Sequence, residues 1–142
     1  MLRAYLGAFK SESLNPKPNW KIVKETPSCA TINSDNGLGI VVAPKAMEIA
    51  VEKAKKTGAG IVTMNNCGHM GMLAYHSMIA SENDMIGTTM AACSPRMVPT
   101  FSSVRALGTN PISYSAPADK LPDFVFDAAM TSVAGNKIVL AS

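Results

Sequence analysis

Between Pro44 and Ala80 the hydrophobic period of this chain changes twice, and that constrains the fold more than any other feature of the sequence. Met47, Ala50, Val51 and Ala54 fall at i, i+3, i+4 and i+7, the spacing of one buried helical face. Pro44 suits the first turn of that helix, where its missing N–H costs little. Gly58 and Gly60 end it. Ile61-Val62-Thr63-Met64 then reads as a short buried strand, Asn65 to Gly71 as a polar loop, and Leu73 to Ala80 as a second helix. Helices alternating with strands point to α/β or α+β packing of helices on a sheet.

The flanking segments fit that frame. Leu2, Tyr5, Leu6 and Phe9 are apolar-periodic and read as the end of a helix, and Pro16 and Pro18 then rule out regular structure. Lys21 to Val23, Cys29 to Ile32, Met85 to Ala92, Pro111 to Ser115 and Phe124 to Phe126 are strand candidates. Ser34 to Gly39 is a turn whose Asp, Asn and Gly tolerate left-handed backbone. Ser94-Pro95 breaks a strand, and residues 95–110 hold no clear element. A last helix is expected from Thr131 to Ser142. There is neither an internal repeat nor a linker that would divide the chain, so one domain is expected over 1–142. The apolar, helix-like ending Lys137 to Ser142 suggests a sequence cut within an element.

Composition excludes several classes. With 47% hydrophobic and 16% charged residues the chain is not a disordered one. It lacks an apolar run near the ~20 residues of a membrane span, and Met1 to Phe9 lacks a secretory pattern. Three cysteines, Cys29, Cys67 and Cys93, make an odd and irregular set. That argues for a reducing compartment, the cytoplasm, rather than a disulfide framework. The net charge is only +3, and Lys45, Lys53, Lys55 and Lys56 read as the solvent face of a helix rather than a nucleic-acid footprint.

The densest chemical cluster is Asn65-Asn66-Cys67-Gly68-His69-Met70-Gly71, between a strand and a helix, where α/β folds gather ligands. His69 sits between glycines, and its imidazole can take a proton from a hydroxyl and return it near neutral pH. A turn histidine that caps the following helix is the alternative. Cys67, His69, His76 and Cys93 are zinc-ligand types, but Cys67 and His69 are one residue apart and no C-x-x-C or H-x-x-x-H pair occurs, so no metal is expected. Ser94-Pro95 and Gly108-Thr109-Asn110-Pro111 are turns that present small hydroxyl and amide groups. Asp127, at the end of Phe124-Val125-Phe126, either bonds a ribose hydroxyl or orients a histidine, or else caps the next helix. Neither a G-x-G-x-x-G nor a P-loop pattern is present, so any dinucleotide binding is of another kind.

Taken in order, Leu14-Asn15-Pro16-Lys17-Pro18, Asp35-Asn36-Gly37-Leu38-Gly39, Asn66 to Gly71, Met85-Ile86-Gly87, Ser94-Pro95, Leu107 to Ile112, and Phe124 to Asp127 with Lys137-Ile138 resemble the malate/L-lactate dehydrogenase family. This group also contains ureidoglycolate and sulfolactate dehydrogenases. The resemblance covers essentially the whole chain. It implies a non-Rossmann mixed α/β fold, with a mixed sheet and flanking helices, here incomplete. It implies hydride transfer between NAD or NADP and a small L-2-hydroxyacid or 2-oxoacid such as malate or lactate, in a protein that is a homodimer when full length. By the same resemblance His69 is the catalytic proton-transfer residue, and Cys93, Ser94, Thr109, Asp127, Ala128 and Ala129 bind the cofactor. Family chains are more than twice as long, which makes 1–142 a central portion truncated at both ends, expected to be inactive alone. The alternative is a non-catalytic, degenerate relative that acts as a binding or interaction module.

Overall fold

A computed structural model describes residues 2–134 together with 137 and 141. Of the expected helix from Thr131 to Ser142, residues 131–134 are not helical, and 135, 136, 138–140 and 142 lie outside the described residues. The elements run α1 (Leu2–Lys10), β1 (Lys21–Glu25), β2 (Cys29–Asn33), α2 (Gly39–Thr57), β3 (Ile61–Asn65), α3 (Ala74–Ser81), β4 (Gly87–Met90), β5 (Ile112–Ala116) and β6 (Phe124–Ala128).

They form a mixed α/β fold with two three-stranded sheets, β1-β2-β3 and β4-β5-β6. In the first, β1 is antiparallel to β2, with an irregularity between Ile22 and Lys24, and β3 is parallel to β2 across the α2 crossover. The second is antiparallel throughout. Helix α2 packs on β2 and β3, α3 packs on β4, β5 and β6, and the two helices pack on each other. The first half closes over Ile32, Val42 and Ala46, with Trp20, Ile49, Val62 and Met64 against them.

Three expectations need correction. Helix α2 begins at Gly39, so Pro44 lies inside it rather than in its first turn, and the Ile40 carbonyl loses the N–H it would otherwise accept. Strand β3 is not buried: among the described residues it has a partner on one side only, and its residues alternate between exposed and half-buried. The buried run is β2, whose Ile32 has no exposed surface. Lys53 is not on the solvent face. It is 8% exposed, and its ammonium donates to Glu25 Oε1 at 2.8 Å and to the Thr26 carbonyl at 2.7 Å. A long stem buried with its charge satisfied looks in sequence like any surface lysine.

The turn at Ser34 to Gly39 is as expected: Asp35 and Asn36 have φ of 52° and 54°. It locks to the proline segment. Asn15 Nδ2 and the Asn19 backbone N–H both donate to Asp35 Oδ2, at 2.8 and 2.9 Å. No helix among the described residues is long and apolar enough to cross a membrane.

Candidate functional site

The loop from Asn65 to Gly71 leaves the carboxyl end of β3 and enters α3, and it is held from both sides. On one side the Gly68 N–H bonds the Gly37 carbonyl at 2.8 Å, and Ile40, in the first turn of α2, donates its N–H to the His69 carbonyl at 3.3 Å. Ile40 is one of the helix-start donors that have no intrahelical partner, so the loop supplies what α2 lacks. On the other side His76 of α3 bonds the Met70 carbonyl through Nε2 at 2.8 Å.

His69 Nδ1 lies 2.6 Å from Tyr5 Oη and 3.2 Å from the Gly71 backbone nitrogen. A backbone N–H can only donate, so Nδ1 is an acceptor and the neutral ring carries its proton on Nε2. The tyrosine hydroxyl must then also donate to Nδ1. Nε2 has no protein partner among the described residues. Gly71 can aim its N–H inward because it holds φ at +72°, a conformation that L side chains rarely adopt. His69 is exposed overall, yet the protein around its ring disfavours the cation and lowers its pKa from the ordinary 6.5. In the same loop burial pushes the Cys67 thiol up, with the Ser34 hydroxyl acting the other way.

A second set of groups lies along one end of the β4-β5-β6 sheet. Met90 pairs with Ile112 and Ile112 with Ala128, so the end of β4, the start of β5 and the end of β6 share an edge. Cys93, Ser94, Thr109, Asp127, Ala128 and Ala129 are therefore brought together. The Cys93 N–H bonds Asn110 Oδ1 at 3.0 Å, and the Met130 N–H bonds the Thr109 carbonyl at 2.8 Å. A Cβ at Gly108 would lie 2.2 Å from the Cys93 carbonyl oxygen, so only glycine lets these two turns meet. Cys93, Ser94 and Ala129 are exposed, and Thr109 and Ala128 are half-buried.

Asp127 joins the two sets. It is inside β6 rather than at its end, and its Oδ2 accepts the Ala74 N–H at 2.8 Å. It caps a helix, but that helix is α3, which precedes it in sequence. Leu73, the local cap position of α3, offers no side-chain bond. His69 lies five residues before Ala74, so His69 and the Asp127 cap are at most ~18 Å apart.

Sequence reasoning missed Tyr5, and it read Asn110 only as part of a turn and His76 only as a zinc-ligand type. Tyr5 was visible only as one apolar point on a helical face, and nothing local ties it to a residue 64 positions away. The four zinc-type residues do not converge. His76 is buried against Met70, and no group of three or more potential metal ligands occurs among the described residues.

The sequence pattern of the malate/L-lactate dehydrogenase family matches residues 1–142. The chain is 44% identical to L-sulfolactate dehydrogenase of Methanocaldococcus jannaschii over 96% of its own length and 40% of that protein's. It is 30% identical to the ureidoglycolate dehydrogenase (NAD(+)) of Escherichia coli K12, covering 95% of this chain and 39% of that one. Among solved structures, malate dehydrogenase from Pyrococcus horikoshii OT3 superposes with a TM-score of 0.91 at 39% identity, over 96% of this chain and 39% of that chain. The chain thus spans about two fifths of the length of the curated relatives it matches, and its two sheets and their helices follow that fold.

Proposed function

This chain belongs to the malate/L-lactate dehydrogenase family, and from that premise we propose that it serves an oxidoreductase interconverting small L-2-hydroxyacids, such as malate or lactate, and their 2-oxoacids with NAD or NADP. The observation that carries the reading is the polarity of His69. With Tyr5 and Gly71 both donating to Nδ1, the ring offers an N–H at Nε2 that has no protein partner among the described residues. That is the donor a 2-oxoacid carbonyl needs.

In the reductive direction Nε2–H donates to the carbonyl oxygen of the substrate. As hydride adds to C2 and charge grows on that oxygen, the Nε2 proton moves to it and the C2 alkoxide becomes the hydroxyl. Nδ1 takes the proton of half-buried Tyr5 in the same event and then returns it to the phenolate as solvent reprotonates Nε2, which restores the starting tautomer. Oxidation runs these transfers backwards. The hydride itself is the chemistry that a bound nicotinamide would supply.

The sheet edge fits a nicotinamide nucleotide in its donor set. Asp127 spends Oδ2 on Ala74 and keeps its other oxygen for a ribose hydroxyl. The close approach at Gly108 holds the Cys93 and Asn110 turns together and so fixes the sheet edge on which these groups sit. Ser94, Thr109 and the backbone of Cys93, Ala128 and Ala129 complete the proposed contacts. A homodimer in the cytoplasm belongs to the same reading.

The test is spectrophotometric. The natural polypeptide is assayed with oxaloacetate, pyruvate, sulfopyruvate and the oxidised counterpart of ureidoglycolate, each with NADH and NADPH. The reading expects cofactor oxidation with at least one of them, abolished or sharply reduced by His69→Gln. A folded protein that binds neither cofactor and reduces none of these acids overturns it.

A further inference from the structure

We propose that His76 is a positioning residue that sets which nitrogen of His69 carries the proton. The inference rests on the role given to His69 above. His76 is 1% exposed, in the first turn of α3. Its Nε2 is 2.8 Å from the Met70 carbonyl, which can only accept, so Nε2 bears the hydrogen and Nδ1 is a bare acceptor. That Nδ1 is buried and has no partner among the described residues. A buried polar atom without a partner costs stability, and an apolar side chain of similar volume would avoid the cost. The bond to Met70 is what the imidazole adds.

That bond matters because of the peptide it holds. The Met70 carbonyl and the Gly71 N–H belong to one planar trans unit, so oxygen and hydrogen point in opposite directions. His76 fixes the oxygen end. The hydrogen end then faces His69 Nδ1, at 3.2 Å between the nitrogens. Were this peptide to flip, a carbonyl would face Nδ1 and favour the opposite tautomer, with the proton on Nδ1 and none on Nε2. Gly71, at φ +72°, occupies the kind of turn position where such a flip meets little steric resistance. The His69 carbonyl is held separately by Ile40 of α2. Consecutive carbonyls are thus gripped by different helices, and His76 supplies the grip on the side that Asp127 caps. The titratable neighbours of this arrangement are Tyr5 from α1, Cys67 in the loop, Tyr75 edge-on to His76 at 5.5 Å between centroids, and Asp127 from β6.

The test reads the ring nitrogens of His69 directly, by nitrogen-15 NMR of histidine-labelled natural polypeptide. The wild type is expected to show the Nε2–H tautomer. His76→Phe and His76→Met, which lack the donor, are expected to show a mixture of tautomers. Their kcat should fall roughly 10- to 100-fold, the scale of a misplaced catalytic group, with KM within about twofold. His76→Gln, whose amide N–H replaces Nε2–H, is expected to restore the single tautomer. A merely structural role would lower the folded fraction and leave the His69 nitrogens unchanged. A folded donor-less variant with the unmixed wild-type pattern overturns the proposal, as does a folded Gln variant with a mixture. If neither donor-less variant folds, the Gln variant decides alone: unmixed supports the proposal and mixed overturns it. The NMR readout needs no turnover, so an inactive protein would overturn the dehydrogenase reading while leaving this one measurable.

Discussion

The carboxylate of Asp127 and the backbone N–H of Ala74 are joined by a hydrogen bond of 2.8 Å across 53 residues of sequence. Through it a strand of the second sheet caps the helix that follows the His69 loop. A single side chain thereby stabilises the fold, and in the proposed function its remaining oxygen meets the cofactor.

Those two roles separate by substitution. Asp127→Asn keeps a carbonyl oxygen for Ala74, whereas Asp127→Ala removes it. We expect Asp127→Ala to cost about 1 kcal/mol of stability, the usual scale of a lost cap, and Asp127→Asn to cost only a fraction of that. Both should raise the Kd for NAD(P) more than the KM for the acid. Denaturant melts and cofactor titration of the two variants check this. Unchanged cofactor affinity in both would leave the helix cap as the only role of Asp127.

His69→Gln should lower kcat/KM by roughly 10²-fold or more, the scale of lost acid–base help. The glutamine keeps the size and polarity of the site, so circular dichroism should be unchanged. A variant with near-wild-type turnover would remove His69 from the chemistry.

Tyr5→Phe deletes one of the two donors to His69 Nδ1 while keeping the ring, whose centroid is 6.0 Å from the imidazole. A hydrogen bond to the lone pair favours the neutral imidazole, so its loss should raise the His69 pKa and move the acid limb of kcat/KM to higher pH. Turnover should fall about fivefold, the worth of one hydrogen bond of roughly 1 kcal/mol. Full pH–rate profiles of both proteins provide the comparison, and superimposable profiles would rule out this coupling.

Stability should itself depend on His69. Its folded pKa is lowered by burial below the ordinary 6.5. Between the two values the unfolded chain binds more protons than the folded one. The contribution is therefore present above about pH 6.5 and lost as pH falls through the folded value. Tm should decline on acidification through this window, and His69→Gln should reduce that slope. Identical slopes in the two proteins would mean that the folded ring titrates as it does in the unfolded chain.

A last prediction concerns packing alone. Ser113 has no exposed surface and sits between Ser77 Oγ at 2.9 Å and the Phe126 carbonyl at 2.8 Å, bonding α3 to β5 and β6. Ser113→Ala should cost about 1–3 kcal/mol through the polar atoms it strands. Chemical denaturation measures this, and the affinity for cofactor should stay within about twofold of the wild type because the Ser113 hydroxyl bonds Ser77 and Phe126 and none of the proposed cofactor contacts.

Much of this architecture was legible because it is written in local periods. The α2 face at Ala50 and Val51, the left-handed turn at Asp35 and Asn36, and the strands at Cys29 and Ile112 each depend on residues a few positions apart. His69 was legible as a glycine-flanked loop residue after a strand. What controls it was not. Tyr5, His76 and the peptide of Met70 and Gly71 act through contacts that no short-range pattern encodes. Position in a sheet was equally hidden. Ile61 to Met64 has the apolar content of a buried strand, but whether such a run lies at the centre or the edge is decided by the strands that pair with it. The same holds for Lys53, whose burial depends on Glu25 and Thr26 coming within reach.

The two sheets share no strand, and what joins them is the packing of α2 on α3. Mechanically this contact is a slip plane with the His69 loop strapped across it. Its backbone is fastened to α2 by Ile40 and to α3 by His76. Packed helices slide past one another in small steps. A slide of ~1 Å along this plane would change the spacing between His69 and the sheet edge by a similar amount, which under the proposed function would cost roughly 10²-fold in rate. A small molecule wedged between α2 and α3 would therefore inhibit without touching His69 or the sheet edge, and neither substrate nor cofactor could displace it by direct competition.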